Sequence, residues 1–197
     1  MDLDMQTQQD KPDEAEVQQQ RHSRIARGVF FACPIILASM QLLPGPSHTN
    51  PRVDARETLE ANMPVPAPVS AMLKRACANC HSNETKWPWY TRMAPASWMI
   101  AKDVDGGRKA MNFSRWSSQS GRRPELAIAT LTAACTDLQT GRMPKWNYRL
   151  LHPEAQVSPA EVAQFCTWSQ VEIGQLVRKK QEQTRGKFTK LLQTHND

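Results

Sequence analysis

The segment Cys77-Ala78-Asn79-Cys80-His81 places two thiols and an imidazole within five residues. This is a Cys-x-x-Cys-His box, the spacing that fixes haem c to a polypeptide. Two cysteines three positions apart reach the two vinyl groups on one porphyrin edge and form thioethers. The adjacent imidazole then ligates the iron as proximal ligand. With 5 Cys and 5 His in 197 residues, chance supplies such a box only about 0.003 times. A redox dithiol and half of a zinc site are the other chemistries that use a Cys-x-x-Cys pair. The dithiol wants a βαβ setting that the sequence lacks. The zinc site wants a second ligand pair, and Cys33, Cys135 and Cys166 are neither closely paired nor followed by His. The box therefore reads as one covalent haem c, held by Cys77 and Cys80, with His81 on the iron.

An iron that carries electrons usually has a second axial ligand, and a thioether raises its reduction potential by favouring the ferrous state. Of nine methionines, Met93, Met99 and Met111 lie close to the box or on amphipathic stretches, where packing explains them. Met143 stands in Gly141-Arg142-Met143-Pro144, a helix end followed by a proline-stiffened loop. Such a loop brings a thioether to the iron face opposite the histidine, so Met143 is the expected distal ligand and His152 its rival.

The elements that must position these groups are helices. No stretch alternates with period two, and no internal repeat is visible, so the fold class is all-α. A first helix from about Ser70 puts Val69, Leu73, Ala76 or Cys77, and Cys80 on one side and runs into the box. A second, N-capped by Ser97, aligns Trp98, Ala101 and Val104, and Gly106-Gly107 weakens it by about 1 kcal/mol each. A third follows Pro124, with Ile128, Leu131, Cys135 and Leu138 as an apolar stripe and Gly141 as its stop. A fourth opens on Ser158-Pro159-Ala160-Glu161, which supplies an N-cap, proline at the first turn and a capping-box glutamate. Its apolar side carries Val162, Phe165, Cys166 and Ile173. Cys135 and Cys166, on the stripes of the third and fourth helices, are expected to form a disulfide in an oxidising compartment.

Haem c attachment and disulfides need such a compartment, and the N-terminus carries an export signal. Arg21, Arg24 and Arg27 precede a 16-residue apolar run, Gly28 to Leu43, closed by Pro44-Gly45-Pro46. Basic flank, apolar stretch, then breakers is the order of a signal sequence or signal anchor. The run lacks a clean small-x-small cleavage site, which favours an uncleaved membrane helix with Cys33 buried in lipid. The organisation expected is a disordered polar segment (1–20), the signal or anchor (21–43), a proline-rich linker (44–68), the haem domain (69–175) and a basic tail (176–197). The formal net charge of +6 is scattered apart from that tail, so nothing points to nucleic acid.

Further blocks accompany the box: Cys80-His81-Ser82-Asn83-Glu84-Thr85-Lys86-Trp87-Pro88-Trp89-Tyr90, Ala94-Pro95-Ala96-Ser97-Trp98, and Asn112-Phe113-Ser114-Arg115-Trp116. With Gly141-Arg142-Met143-Pro144, His152-Pro153 and Ser158-x-x-Glu161, they resemble the bacterial haem-binding domain family of membrane-anchored, cytochrome c-like proteins over roughly residues 40–168. The resemblance implies covalent haem c, an anchored periplasmic domain and a role in redox chemistry. The family's usual Met-Pro-Pro is here Met143-Pro144-Lys145.

Four of the six tryptophans (Trp87, Trp89, Trp98 and Trp116) fall within 30 residues after the box. Indoles can wall a porphyrin, and Arg108 can pair with a propionate as guanidinium pairs with carboxylate. Ordinary core packing and a surface salt bridge compete with those roles. No paired carboxylates and no nucleophile with a base stand out. The sequence thus points to a small cytochrome c-like helical domain around one haem, carrying electrons at the periplasmic face of the inner membrane. The partners implied are the membrane and a redox protein. The alternatives are a five-coordinate haem sensor or peroxidase-like enzyme, and a zinc-binding module.

Overall fold

The computed structural model describes residues 14–194, and among them no strand occurs. Contacts divide the chain into two compact units. One comprises the chain up to Pro46 together with Trp89–Trp98, the other Ser47–Pro88 together with the chain from Met99.

The first unit is dominated by helix α1, Glu14–Met40. Its stretch Val17–Met40 is long and apolar enough to cross a membrane, and its most apolar 18 residues include none that is buried within the protein. That length and composition are those of a membrane anchor or a signal. Residues 1–13 of the polar N-terminal segment lie outside the described residues. Glu14–Gln20, expected to be disordered, form the first turns of α1, because Glu, Ala and Gln are good helix formers leading into the apolar run. After Met40 the chain turns, with Gln41, Leu42 and Leu43 bonding back to Ala38, Ser39 and Met40.

The second unit is a helical domain. It holds α2 (Leu59–Asn62), α3 (Ala67–Ala76), α4 (Ala78–His81), most of α5 (Ala96–Ala110), α6 (Pro124–Gln139), α7 (Trp146–Leu151) and α8 (Pro159–Thr194). Helix α6 packs along α8, and α3 packs on α8. Their shared core includes Met72, Leu73, Trp116, Leu131, Phe165 and Trp168. Residues 47–68 are not the free linker expected. Thr58 caps α2 by accepting from the Ala61 amide, and Leu59 and Met63 are buried in the core. Two well-placed apolar residues in a polar stretch are enough to dock it.

The start and stop signals of α6 and α8 operate as read. Gly141 takes φ +69°, the left-handed conformation that ends α6 without a Cβ penalty. At α8 the Ser158 amide donates to Glu161 Oε2 (2.8 Å) and the Glu161 amide donates to Ser158 Oγ (3.3 Å), a closed capping box. The helix continues to Thr194 through the expected tail, exposed beyond Leu176 as far as its side chains are described. Cys135 of α6 and Cys166 of α8 form a disulfide with Cα atoms 5.2 Å apart. In α5, Ser97 lies inside the helix rather than capping it, its amide bonded to Met93 O, and Gly106-Gly107 stay helical.

Candidate cofactor site

Helix α3 does not run through the box as one helix. It ends at Ala76, and Cys77 (φ −122°, ψ −31°) breaks it before the single turn of α4. The break changes the direction of the chain while keeping the hydrogen bonds: Cys77 N donates to Leu73 O, and both Cys80 N and His81 N donate to Cys77 O. Buried Leu73 and Ala76 hold the preceding turn in the core, so the box is mounted on a packed element.

Cys77 and Cys80 are both free thiols, half-buried. Burial pushes the Cys77 thiol up to about 12, with the neighbouring Cys80 adding to the rise. Burial pushes Cys80 up to about 11, aided by Asp103. Both are therefore protonated at neutral pH. His81 Nδ1 lies 3.0 Å from the carbonyl oxygen of Met111. A carbonyl only accepts, so Nδ1 carries the proton and Nε2 keeps its lone pair. That orienting bond is what a metal-ligating imidazole usually has behind it. Burial also lowers the His81 pKa, which favours the neutral ring.

Cys77 and His81 open on an apolar cleft of about 620 Å³, part of it open to solvent. Leu73, Met111, Leu138 and Phe165 supply bulk, and Met143 lines the same cleft. Met143 is held there by its own amide, which donates to Asp137 O (3.2 Å) just past the Gly141 turn. Cys80 is not among the lining residues; its carbonyl and Cβ face Gly107 of α5. Helix α6 gives the cleft Thr130, Ala133, Ala134 and Asp137. Spacing of i, i+3, i+4, i+7 makes these one face of small side chains, a flat wall for a planar ligand. Sequence reasoning missed that wall, although the spacing of small residues beside the Leu131/Leu138 stripe was its signal. An apolar cleft lined by the Cys77 thiol, an oriented imidazole and a thioether, with the Cys80 thiol one turn along the box, fits a haem. Among the described residues no group of three or more His, Cys, Asp or Glu side chains is clustered to hold a bare metal ion.

The loop that carries Met143 is tied down by charge. Lys145 Nζ donates to Asp103 Oδ1 of α5 (2.5 Å), and Arg142 pairs with Asp137 Oδ1 (2.5 Å) at the cleft. His152 is placed elsewhere: its Nδ1 is 3.0 Å from Glu154 Oε1, its ring stacks on Tyr148 at 4.4 Å, and it does not line the cleft.

No tryptophan lines the cleft. Trp87 donates from Nε1 to Asn50 Oδ1 (3.1 Å) and packs edge-on against His48. Trp98 belongs to the first unit and donates to Pro44 O (3.4 Å). Trp116 is 1% exposed in the core, and Trp89 is 74% exposed. Each indole thus serves packing or solvent rather than the wall expected. Arg108 is likewise spent on protein: Nε donates to Ser82 O (2.8 Å), and Nη2 to Asn50 Oδ1 (2.8 Å) and Thr85 Oγ1 (2.9 Å). It pins the loop after the box.

No curated protein sequence and no solved structure matches the chain. A model of the haem-binding domain family matches residues 35–171, more than half of the chain and all of the cleft-lining segments. The chain belongs to the haem-binding domain family.

Proposed function

We propose that this protein is a single-haem c-type electron carrier, anchored by α1 in the bacterial inner membrane with its helical domain in the periplasm. The observation that carries the reading is the convergence of Cys77, His81 and Met143 on one apolar cleft. Cys77 and Cys80 would hold the haem through thioethers, His81 Nε2 would take one axial position and Met143 the other. Bound there, haem supplies a one-electron couple whose potential depends on axial ligands and burial. The chain's own contribution is to orient the imidazole through Met111, exclude water with Leu73, Leu138 and Phe165, and hold the thioether on a tied loop. The Cys135–Cys166 bridge suits an oxidising compartment. A redox protein is the expected partner.

The test is a pyridine haemochrome spectrum of protein matured with a haem c attachment system, read together with the far-red Met–iron band of the oxidised form. Covalent haem with that band, lost in Met143→Ala, supports the carrier. Covalent haem that binds carbon monoxide readily and never shows the band supports an open-site sensor or peroxidase. No covalent haem in a competent host overturns the proposal.

A further inference from the structure

Helix α1 ends at Met40, and the next residue makes an unusual connection. The Gln41 side-chain amide donates to Leu37 O (2.9 Å) in the last turn of α1 and also to Ala94 O (3.0 Å). The Ala94 backbone amide donates back to Gln41 Oε1 (3.0 Å). Gln41 thus pairs with Ala94 as one peptide group pairs with another in a ladder. Four residues past Ala94, Trp98 Nε1 donates to the carbonyl oxygen of Pro44, three past Gln41 (3.4 Å). Trp89–Trp98 belongs with α1 in one compact unit, and these bonds hold it at the level of the final turn of the apolar helix.

Around the Gln41–Ala94 link the surface is apolar. Leu42 is 87% exposed, Leu43 56%, Trp89 74% and Met93 49%. Tyr90 stands edge-on to Trp89, their ring centroids 5.9 Å apart, and Arg92 is exposed between them and the link. Single exposed apolar side chains are normal on soluble surfaces. Four of them flanking the exit of a membrane-length helix, with Trp, Tyr and Arg, match the composition of the layer where acyl chains give way to headgroups. There an indole buries its ring and keeps its N–H wet, while a guanidinium reaches phosphate.

We infer that Trp89–Trp98 is a second membrane contact, an interfacial anchor seated in the lipid headgroup layer beside the end of α1. The inference rests on reading α1 as a retained membrane helix. It gives Trp89 and Tyr90 a role that the cleft does not: the segment Trp89–Trp98 is fixed against the bilayer beside the end of α1.

The experiment is nitroxide depth measurement on full-length holoprotein in phosphatidylcholine–phosphatidylglycerol vesicles, calibrated with headgroup- and chain-labelled phospholipids. With Cys77 and Cys80 consumed by haem and Cys135 bonded to Cys166, Cys33 is the one free thiol, and a label on it reports the depth of α1. In Met93→Cys on a Cys33→Ser background the label reports the loop. The expected result is a deep label at position 33 and a label at 93 about 5–10 Å into the headgroup boundary. Trp89→Ala should then move the position-93 label outward and raise its collisions with an aqueous nickel chelate about threefold. A deep label at 33 with a fully aqueous label at 93 overturns the interfacial anchor while leaving α1 in the membrane. An aqueous label at 33 overturns both.

Discussion

A methyl group on Gly107 would lie 2.5 Å from the carbonyl oxygen of Cys80 and 3.0 Å from its Cβ. Helix α5 approaches the haem box this closely only because Gly107 has no side chain, whereas Gly106 has open space around its missing Cβ. The two adjacent glycines should therefore respond oppositely. Gly107→Ala must displace backbone, which costs about 1–3 kcal/mol and shifts Cys80 from the position the proposed thioether needs. Gly106→Ala gains roughly 0.5–1 kcal/mol of helix propensity with no contact to pay against it. Chemical unfolding of both variants, with the yield of covalent haem, checks the pair: haem yield falls in the first and holds in the second.

The same pair of glycines marks where the sequence stops being legible. Read alone, Gly106-Gly107 is a weak spot in a helix; only the packing shows that one of them is a required approach. The box, the capping box at Ser158–Glu161 and the Gly141 stop were readable because their chemistry is local. The cofactor cleft was half readable: Met143 stood out by its loop, but the Thr130/Ala133/Ala134/Asp137 wall is visible only once α6 is set opposite Cys77 and His81. The tryptophans misled because an indole near a haem motif in sequence can point anywhere in space. Trp87 turned to Asn50, Trp98 to Pro44 and Trp116 to the core. Residues 47–68 read as a linker because Leu59 and Met63 are too few to make a period.

The Cys135–Cys166 bridge spans 31 residues and joins the two helices that flank the cleft. Chain-entropy reasoning gives such a loop about 3–4 kcal/mol. Cys135→Ala with Cys166→Ala should lower stability by about that amount, and reductant should lower the melting temperature of the wild type but not of the double variant. A thermal scan with and without reductant tests it. Because α6 and α8 both line the cleft, the proposed Met143–iron bond should also be lost at a lower temperature in the variant than in wild type.

Stability should have an acid limb set by Glu161. The Ser158 amide foremost, then the Ser158 hydroxyl and Arg75, hold its carboxyl below the ordinary value of 4.5. A group whose folded pKa is depressed contributes fully above its unfolded pKa and loses that contribution as pH falls through the folded value. The contribution is thus complete above about pH 4.5 and fades below it. Glutamine can still accept from the Ser158 amide. Glu161→Gln keeps that bond but loses the charge that faces Arg75, so it should lower stability modestly at neutral pH and flatten the acid limb, as measured by unfolding between pH 3 and 7. An unchanged acid limb would assign it to other carboxylates.

Arg108 separates two roles that the sequence left together. A propionate partner would matter only when haem is bound, whereas a loop pin matters in its absence as well. Its Nε and Nη2 donors go to Ser82, Asn50 and Thr85 in a planar fork that a lysine cannot reproduce. Arg108→Lys should destabilise protein made without haem by about 1–3 kcal/mol. A wild-type unfolding midpoint in that form, combined with a lowered reduction potential in the holoprotein, would return Arg108 to the propionate.

Lys145 stands where the family resemblance implies a second proline, and its ammonium bonds Asp103 on α5 at 2.5 Å. A proline stiffens the loop through its ring; here an ion pair ties the residue two beyond Met143 to the helix that packs on the box. With side chains 46% and 28% exposed, the pair contributes at most about 1 kcal/mol to stability. Its effect on ligation is larger in proportion, because the loop needs to move only slightly to lose the thioether. Lys145→Ala should leave unfolding within about 1 kcal/mol of wild type while weakening the Met–iron band on warming or at high salt, and Lys145→Pro should restore it. Salt sensitivity is the distinguishing readout: an ion-paired tether loosens as ionic strength rises, and a ring-stiffened loop does not.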